Sequence, residues 1–229
     1  MPKFIVGARL HDYGKGSPDE LFGRVAADGF AAVQLAYKKC VPSVRSYADV
    51  TDTLVAETVA AEKAHSIQVA VLGTYVELAI NDESRLKNAA DFKSQLAVCK
   101  ALGARCIGTE TTSMEKQPAG TTREEAQELL CRSLADILPA AEALGVTVAV
   151  EPVTYHSMNS AAATRHILDT MCSPNLKVIF DMSNLVDAGN VGAQDRIWND
   201  VGELLGDQIV AVHFKGQAFA PDGGLLHTS

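Results

Sequence analysis

Val146-Thr-Val-Ala-Val150 followed by Glu151, Leu176-Lys-Val-Ile-Phe180 followed by Asp181, and Gln208-Ile-Val-Ala-Val212 followed by His213 decide how this chain folds. Each is a short apolar run, and each ends in a side chain able to ligate a metal. Glu151 and Asp181 are 30 residues apart, and Asp181 and His213 are 32 apart. That is about the length of one strand–helix–strand unit, which returns a parallel strand to the same level of a sheet. The spacing therefore predicts two carboxylates and an imidazole side by side at one rim.

The same alternation extends backwards through the chain. Strands are expected at Lys3–Leu10, Phe30–Leu35, Ile67–Leu72 and Arg105–Glu110. Ser17 caps the first helix, with Pro18 at its first position and Glu20 three residues after the cap. Further helices are expected near 52–65, over 83–102 closed by Gly103, and over 122–144 closed by Gly145. The last of these carries Ala126, Leu129, Leu130, Leu134, Ile137, Leu138, Ala141 and Leu144 at helical spacing, with Pro139 predicting a kink. Ser160–Met171 and Asp195–Leu205 supply the helices before strands six and seven. Strict alternation implies parallel strands with helical crossovers.

Two architectures satisfy this pattern. A doubly wound sheet carries a glycine-rich phosphate loop after its first strand, and Gly14-Lys15-Gly16 is too short for that fingerprint. A (β/α)8 TIM-type barrel gathers its chemistry at the C-terminal ends of several strands. Glu110, Glu151, Asp181 and His213 end four consecutive strands, which favours the barrel. Only seven strands are readable, and the same spacing places the end of an eighth beyond Ser229. The expectation is one domain over residues 1–229, an α/β barrel incomplete after strand seven, with exposed edges on strands one and seven and a homodimer to cover them.

Composition narrows the function. Of 229 residues 47% are hydrophobic, enough for a sizeable core, and no apolar run reaches the roughly 18 residues of a membrane span. A formal net charge of −8 argues against nucleic-acid binding. Cys40, Cys99, Cys106, Cys131 and Cys172 are odd in number and widely spaced, which reads as free thiols in a reducing cytoplasm; no secretory signal is readable.

Two hard carboxylates and a neutral imidazole suit Mn2+, Mg2+ or Co2+ and leave positions open for substrate oxygens. Such an ion stabilises the enediolate formed when a carbon-bound proton leaves, and a neighbouring carboxylate such as Glu151 can take that proton. His11, after strand one, and Glu110, after strand four, read either as substrate contacts or as solvated rim residues. Lys215 alternates onto the face of His213 and reads the same two ways.

These pieces resemble the xylose isomerase-like barrel family, which includes sugar (phosphate) isomerases and epimerases, hydroxypyruvate isomerase and the tagatose/psicose epimerases. The resemblance is carried by Val150-Glu151-Pro152, Ile179-Phe-Asp181-Met-Ser-Asn184-Leu185 and Val210-Ala-Val-His213-Phe-Lys215, supported by Gly7-Ala-Arg9-Leu-His11-Asp12 and Gly108-Thr-Glu110-Thr. It implies a divalent ion held by Glu151, Asp181 and His213, with Glu151 also catalytic, and substrate contacts from Asn184 and Lys215. The family's fourth ligand and second catalytic carboxylate is a glutamate on strand eight, so two-base chemistry is expected to be impaired in this chain. The substrate implied is a sugar or sugar phosphate. A barrel that binds small molecules or partners without catalysis is the alternative. An apurinic-site endonuclease relative fits poorly, for want of rim histidines and a basic groove.

Overall fold

The computed structural model describes residues 4–220 and 225–228. Seven parallel strands run in chain order: β1 Gly7–Arg9, β2 Ala32–Leu35, β3 Gln68–Gly73, β4 Cys106–Glu110, β5 Val148–Glu151, β6 Leu176–Asp181 and β7 Ile209–His213. Among the described residues no ladder joins β7 to β1, so the sheet is an open, incomplete TIM-type barrel. The crossovers are α1 Pro18–Ala27, α3 Asp52–His65, α4 Asp82–Ser94 with α5 Leu96–Ala101, α6 Arg123–Leu144, α7 Ala161–Met171 and α8 Gln194–Leu205. A short α2, Tyr37–Cys40, follows β2.

The caps fall where the sequence puts them. Ser17 Oγ accepts from the Glu20 N–H at 3.3 Å, and Glu20 Oε2 accepts from the Ser17 N–H at 2.8 Å. Thr122 and Glu125 repeat this capping box at α6, which ends on Gly145 at φ 68°. The main core packs the outer face of the sheet against the helices through fully buried side chains such as Leu35, Phe92, Ile107, Leu130 and Leu134. A smaller cluster of Val71, Cys106, Ala149 and Ile179 fills the barrel interior beneath the C-terminal rim. Gly108 makes this layer possible, because a Cβ there would stand 2.5 Å from Ile179 Cδ1.

Four details depart from the sequence reading. Strand one starts at Gly7, with Phe4–Val6 solvent-exposed, and Lys3 lies outside the described residues. The helix expected over 83–102 is two helices. Buried Gln95 donates from Nε2 to Tyr47 O, and its N–H turns to Phe92 O at 3.0 Å, a tight i→i−3 step that separates α4 from α5. The polar loop after β2 contains α2, whose four residues are too few to show periodicity. After β7 the chain forms an antiparallel hairpin, β8 Gly216–Phe219 with β9 Leu225–Thr228. The stretch from Asp222, read as the approach to an eighth strand, is thus partly hairpin, while residues 222–224 lie outside the described residues.

The open edges carry the exposure that an unclosed barrel entails. β2 to β6 are mostly buried, whereas Gly7 and Arg9 of β1 are exposed, and Val212 and Phe214 at the β7 edge are 51% and 86% exposed.

Candidate metal centre and its rim

Register places the site before any side chain is considered. Glu110 pairs with Glu151 across β4 and β5, and Asp181 pairs with His213 across β6 and β7. All four residues end their strands at the same rim. The turns beyond are tied together: Thr154 N–H donates to Asn184 O at 2.9 Å, and Ser183 Oγ donates to Lys215 O at 2.9 Å.

Each buried carboxylate has one oxygen fixed and one turned inward. Asp181 Oδ1 accepts from the N–H groups of Ser183 and Asn184 at 2.9 and 3.1 Å. Glu151 Oε1 accepts from Asn184 Nδ2 at 2.6 Å. The inward atoms face His213, whose Nδ1 lies 3.2 Å from Glu151 Oε2 and 3.9 Å from Asp181 Oδ2. One ligand atom from each of Glu151, Asp181 and His213 lies within 4.8 Å of the others.

That spacing fits one cation. Ligand bonds of about 2.0–2.6 Å put neighbouring donors about 3–4.5 Å apart. The fixing of the outer carboxylate oxygens is the support that metal ligands normally require. Among the described residues, His213 Nε2 is buried without a hydrogen-bond partner, and the ring's polar anchorage is on the carboxylate side. Burial lowers the His213 pKa, but the hydrogen bond and charge of Glu151, with the charge of Asp181, outweigh it and raise the pKa. The pocket is thus already arranged to hold positive charge. Lys215 supplies some: its Nζ is 2.8 Å from both Asp181 Oδ2 and Asn184 Oδ1.

Glu110 stands beside this group. Burial and then the charge of Glu151 raise its pKa, against the pull of Lys215 and Lys39. It lines a recess with Gln34, Gly73, Tyr75, Thr109, Glu151 and Ile179. His11 lies on the far side of Tyr75, edge-on with ring centroids 6.1 Å apart. Among the described residues it makes no hydrogen bond or ion pair to Glu151, Asp181 or His213.

Five of the seven residues singled out in the sequence therefore meet directly or through one hydrogen bond: Glu151, Asp181, His213, Asn184 and Lys215. Glu110 adjoins them in register, and His11 sits across the rim. Sequence reasoning missed Gln34, Lys39 and Tyr75. The one available signal was position, since all three follow or lie within strands two and three. His156, in the loop after β5, is only 5% exposed.

Residues 22–227 match the model of the xylose isomerase-like TIM barrel family, and the chain belongs to that family. Three solved structures illustrate the likeness. One is the 3-keto-D-glucoside 4-epimerase YcjR from E. coli in its apo form, with TM-score 0.74, 16% identity, 93% of this chain and 80% of that chain covered. Another is a xylose isomerase-like TIM barrel protein from Mycobacterium smegmatis in complex with magnesium, with TM-score 0.72, 14% identity and coverages of 97% and 79%. A third is the IOLI protein with a bound zinc atom, with TM-score 0.75, 17% identity and coverages of 95% and 76%. At these identities the likeness is one of fold. No curated protein sequence matches the chain. No helix among the described residues is long and apolar enough to cross a membrane.

Proposed function

We propose that this chain is a metal-dependent isomerase or epimerase of a sugar or sugar phosphate, acting by proton transfer beside a carbonyl. The observation that carries the reading is the convergence of Glu151, Asp181 and His213 donor atoms within 4.8 Å at the C-terminal rim. Zinc and magnesium in two structures of the same fold support it, as does the epimerase activity named for a third.

Glu151, Asp181 and His213 would hold Mn2+, Mg2+ or Co2+. The ion, when bound, would stabilise the negative charge that builds on oxygen as a carbon-bound proton leaves. Glu151 takes that proton, its carboxylate held in place by Asn184. Glu110, whose pKa is raised by burial and then by the charge of Glu151, faces the substrate beside Glu151. Lys215 and Asn184 present donors on the opposite side. The five free cysteines fit a cytoplasmic setting.

The test is solvent deuterium exchange. The chain loaded with Mn2+ or Co2+ should wash deuterium into the position beside the carbonyl of a ketose or aldose, even where net conversion is slow. Glu151→Gln should reduce the exchange by about 100-fold or more. Absence of exchange across pentoses, hexoses and their phosphates would overturn the reading and leave a binding barrel without catalysis.

A further inference from the structure

Buried carboxylates need a partner charge, and Glu151 and Asp181 are both buried. Lys215 brings one to the oxygen that matters most. Asp181 Oδ1 is taken by the N–H groups of Ser183 and Asn184, which leaves Oδ2 as the atom to bond an ion. Lys215 Nζ lies 2.8 Å from that same Oδ2. It also donates to Asn184 Oδ1 at 2.8 Å, and Asn184 Nδ2 in turn donates to Glu151 Oε1 at 2.6 Å. One ammonium is thus tied, directly or through one amide, to both carboxylates of the candidate centre.

That seat conflicts with a divalent ion. An ion bonded to the same oxygen at about 2.0–2.6 Å would stand about 4–5 Å from the ammonium. Charges of like sign repel at that separation, the more so beside buried groups that water screens poorly. The charge balance agrees, since two carboxylates neutralise one divalent ion and leave a lysine in surplus. The arm of Lys215 is also built to leave. Its side chain is 41% exposed, so the head reaches water by turning outwards. Its backbone stays pinned meanwhile, because Lys215 O accepts from Ser183 Oγ at 2.9 Å. An open cleft of about 210 Å³, lined by Met182, Val186, Trp198, Phe214 and Lys215 itself, gives the arm room to move.

We infer that Lys215 is a built-in competitor for the metal: its ammonium and the ion are alternative partners of Asp181, and ion binding drives the arm out to the rim. The inference rests on the metal reading of this centre and deepens it by naming the group that the ion displaces. The lysine lowers the affinity for the ion. Once displaced, its ammonium is free to meet a substrate, so the ion enters first.

Two measurements on the full chain at one fixed pH test the exchange. Titration with Mn2+ should show Lys215→Met binding the ion about tenfold tighter than the unsubstituted chain. Acetylation of Lys215 in the unsubstituted chain by an amine-reactive ester, read by peptide mass spectrometry, should quicken severalfold when Mn2+ is saturating. Lys87, an exposed surface lysine, serves as the unchanged reference. Binding that is unchanged or weaker in Lys215→Met, or acetylation of Lys215 that does not rise, overturns the exchange and leaves the metal site standing. Should Lys215→Met fail to fold, the acetylation result decides. Mn2+ binding by neither form overturns the exchange and the metal reading together.

Discussion

His156 and His213 show how two buried imidazoles in one fold come to opposite protonation behaviour. His213 faces two carboxylates and is pushed up. His156 is pushed down to about 4, chiefly by burial and further by Lys116 and Arg123, against the pull of Glu77. The unfolded chain titrates His156 near 6.5. Its folded pKa is the lower one, so its contribution is present above pH 6.5 and is lost as pH falls towards 4. Denaturant unfolding should therefore show up to about 3 kcal/mol of stability lost over that interval through this residue. His156→Gln should flatten the slope, and an unchanged slope would place the acid sensitivity elsewhere. His213 runs the other way: its contribution to the metal-free protein is complete below pH 6.5 and fades as pH rises through its raised value. The candidate ligands were readable because each closes an apolar run and its spacing fixes its level. Lys39 and Tyr75 were not, because a four-residue helix and a positive φ bring them into place, and neither leaves a periodic trace.

The elements tell a similar story about what local sequence encodes. Capping boxes at Ser17 and Thr122 and the left-handed Gly145 fixed the ends of α1 and α6 as read. The break between α4 and α5 was hidden, since it depends on Gln95 reaching Tyr47 O, a contact 48 residues distant. α6 carries Pro139 on its exposed face and still runs unbroken from Arg123 to Leu144. Proline there removes a helical hydrogen bond and crowds the preceding turn, partly compensated by a stiffer unfolded chain. Pro139→Ala should stabilise the protein by about 1–2 kcal/mol, read as a higher urea midpoint with an unchanged slope. A lower midpoint would mean that proline at this position is needed for α6 to follow the sheet.

At the scale of the whole molecule, the seven-stranded order and, among the described residues, the open sheet were both legible, because strand count and spacing are one-dimensional facts. The hairpin after β7 was not, its strands being only four residues long each. Two open edges set Phe4, Ile5 and Val6 near one gap and Val212 and Phe214 near the other, all of them exposed. Unpaired strand edges beside apolar side chains favour association. Sedimentation at micromolar concentration should give a homodimer of twice 24.3 kDa, and Phe214→Lys should shift it towards monomer. A wild-type monomer would show that these edges remain solvated. The account as a whole depends on the rim holding a cation. Titration of the metal-free chain with Mn2+, followed by the loss of free-ion paramagnetic signal, reads this directly. One ion per chain should bind, more tightly as pH rises and the His213 proton leaves, with affinity reduced about 100-fold or more in Asp181→Asn. Failure to bind Mn2+, Mg2+ or Co2+, or binding indifferent to Asp181→Asn, would contradict it.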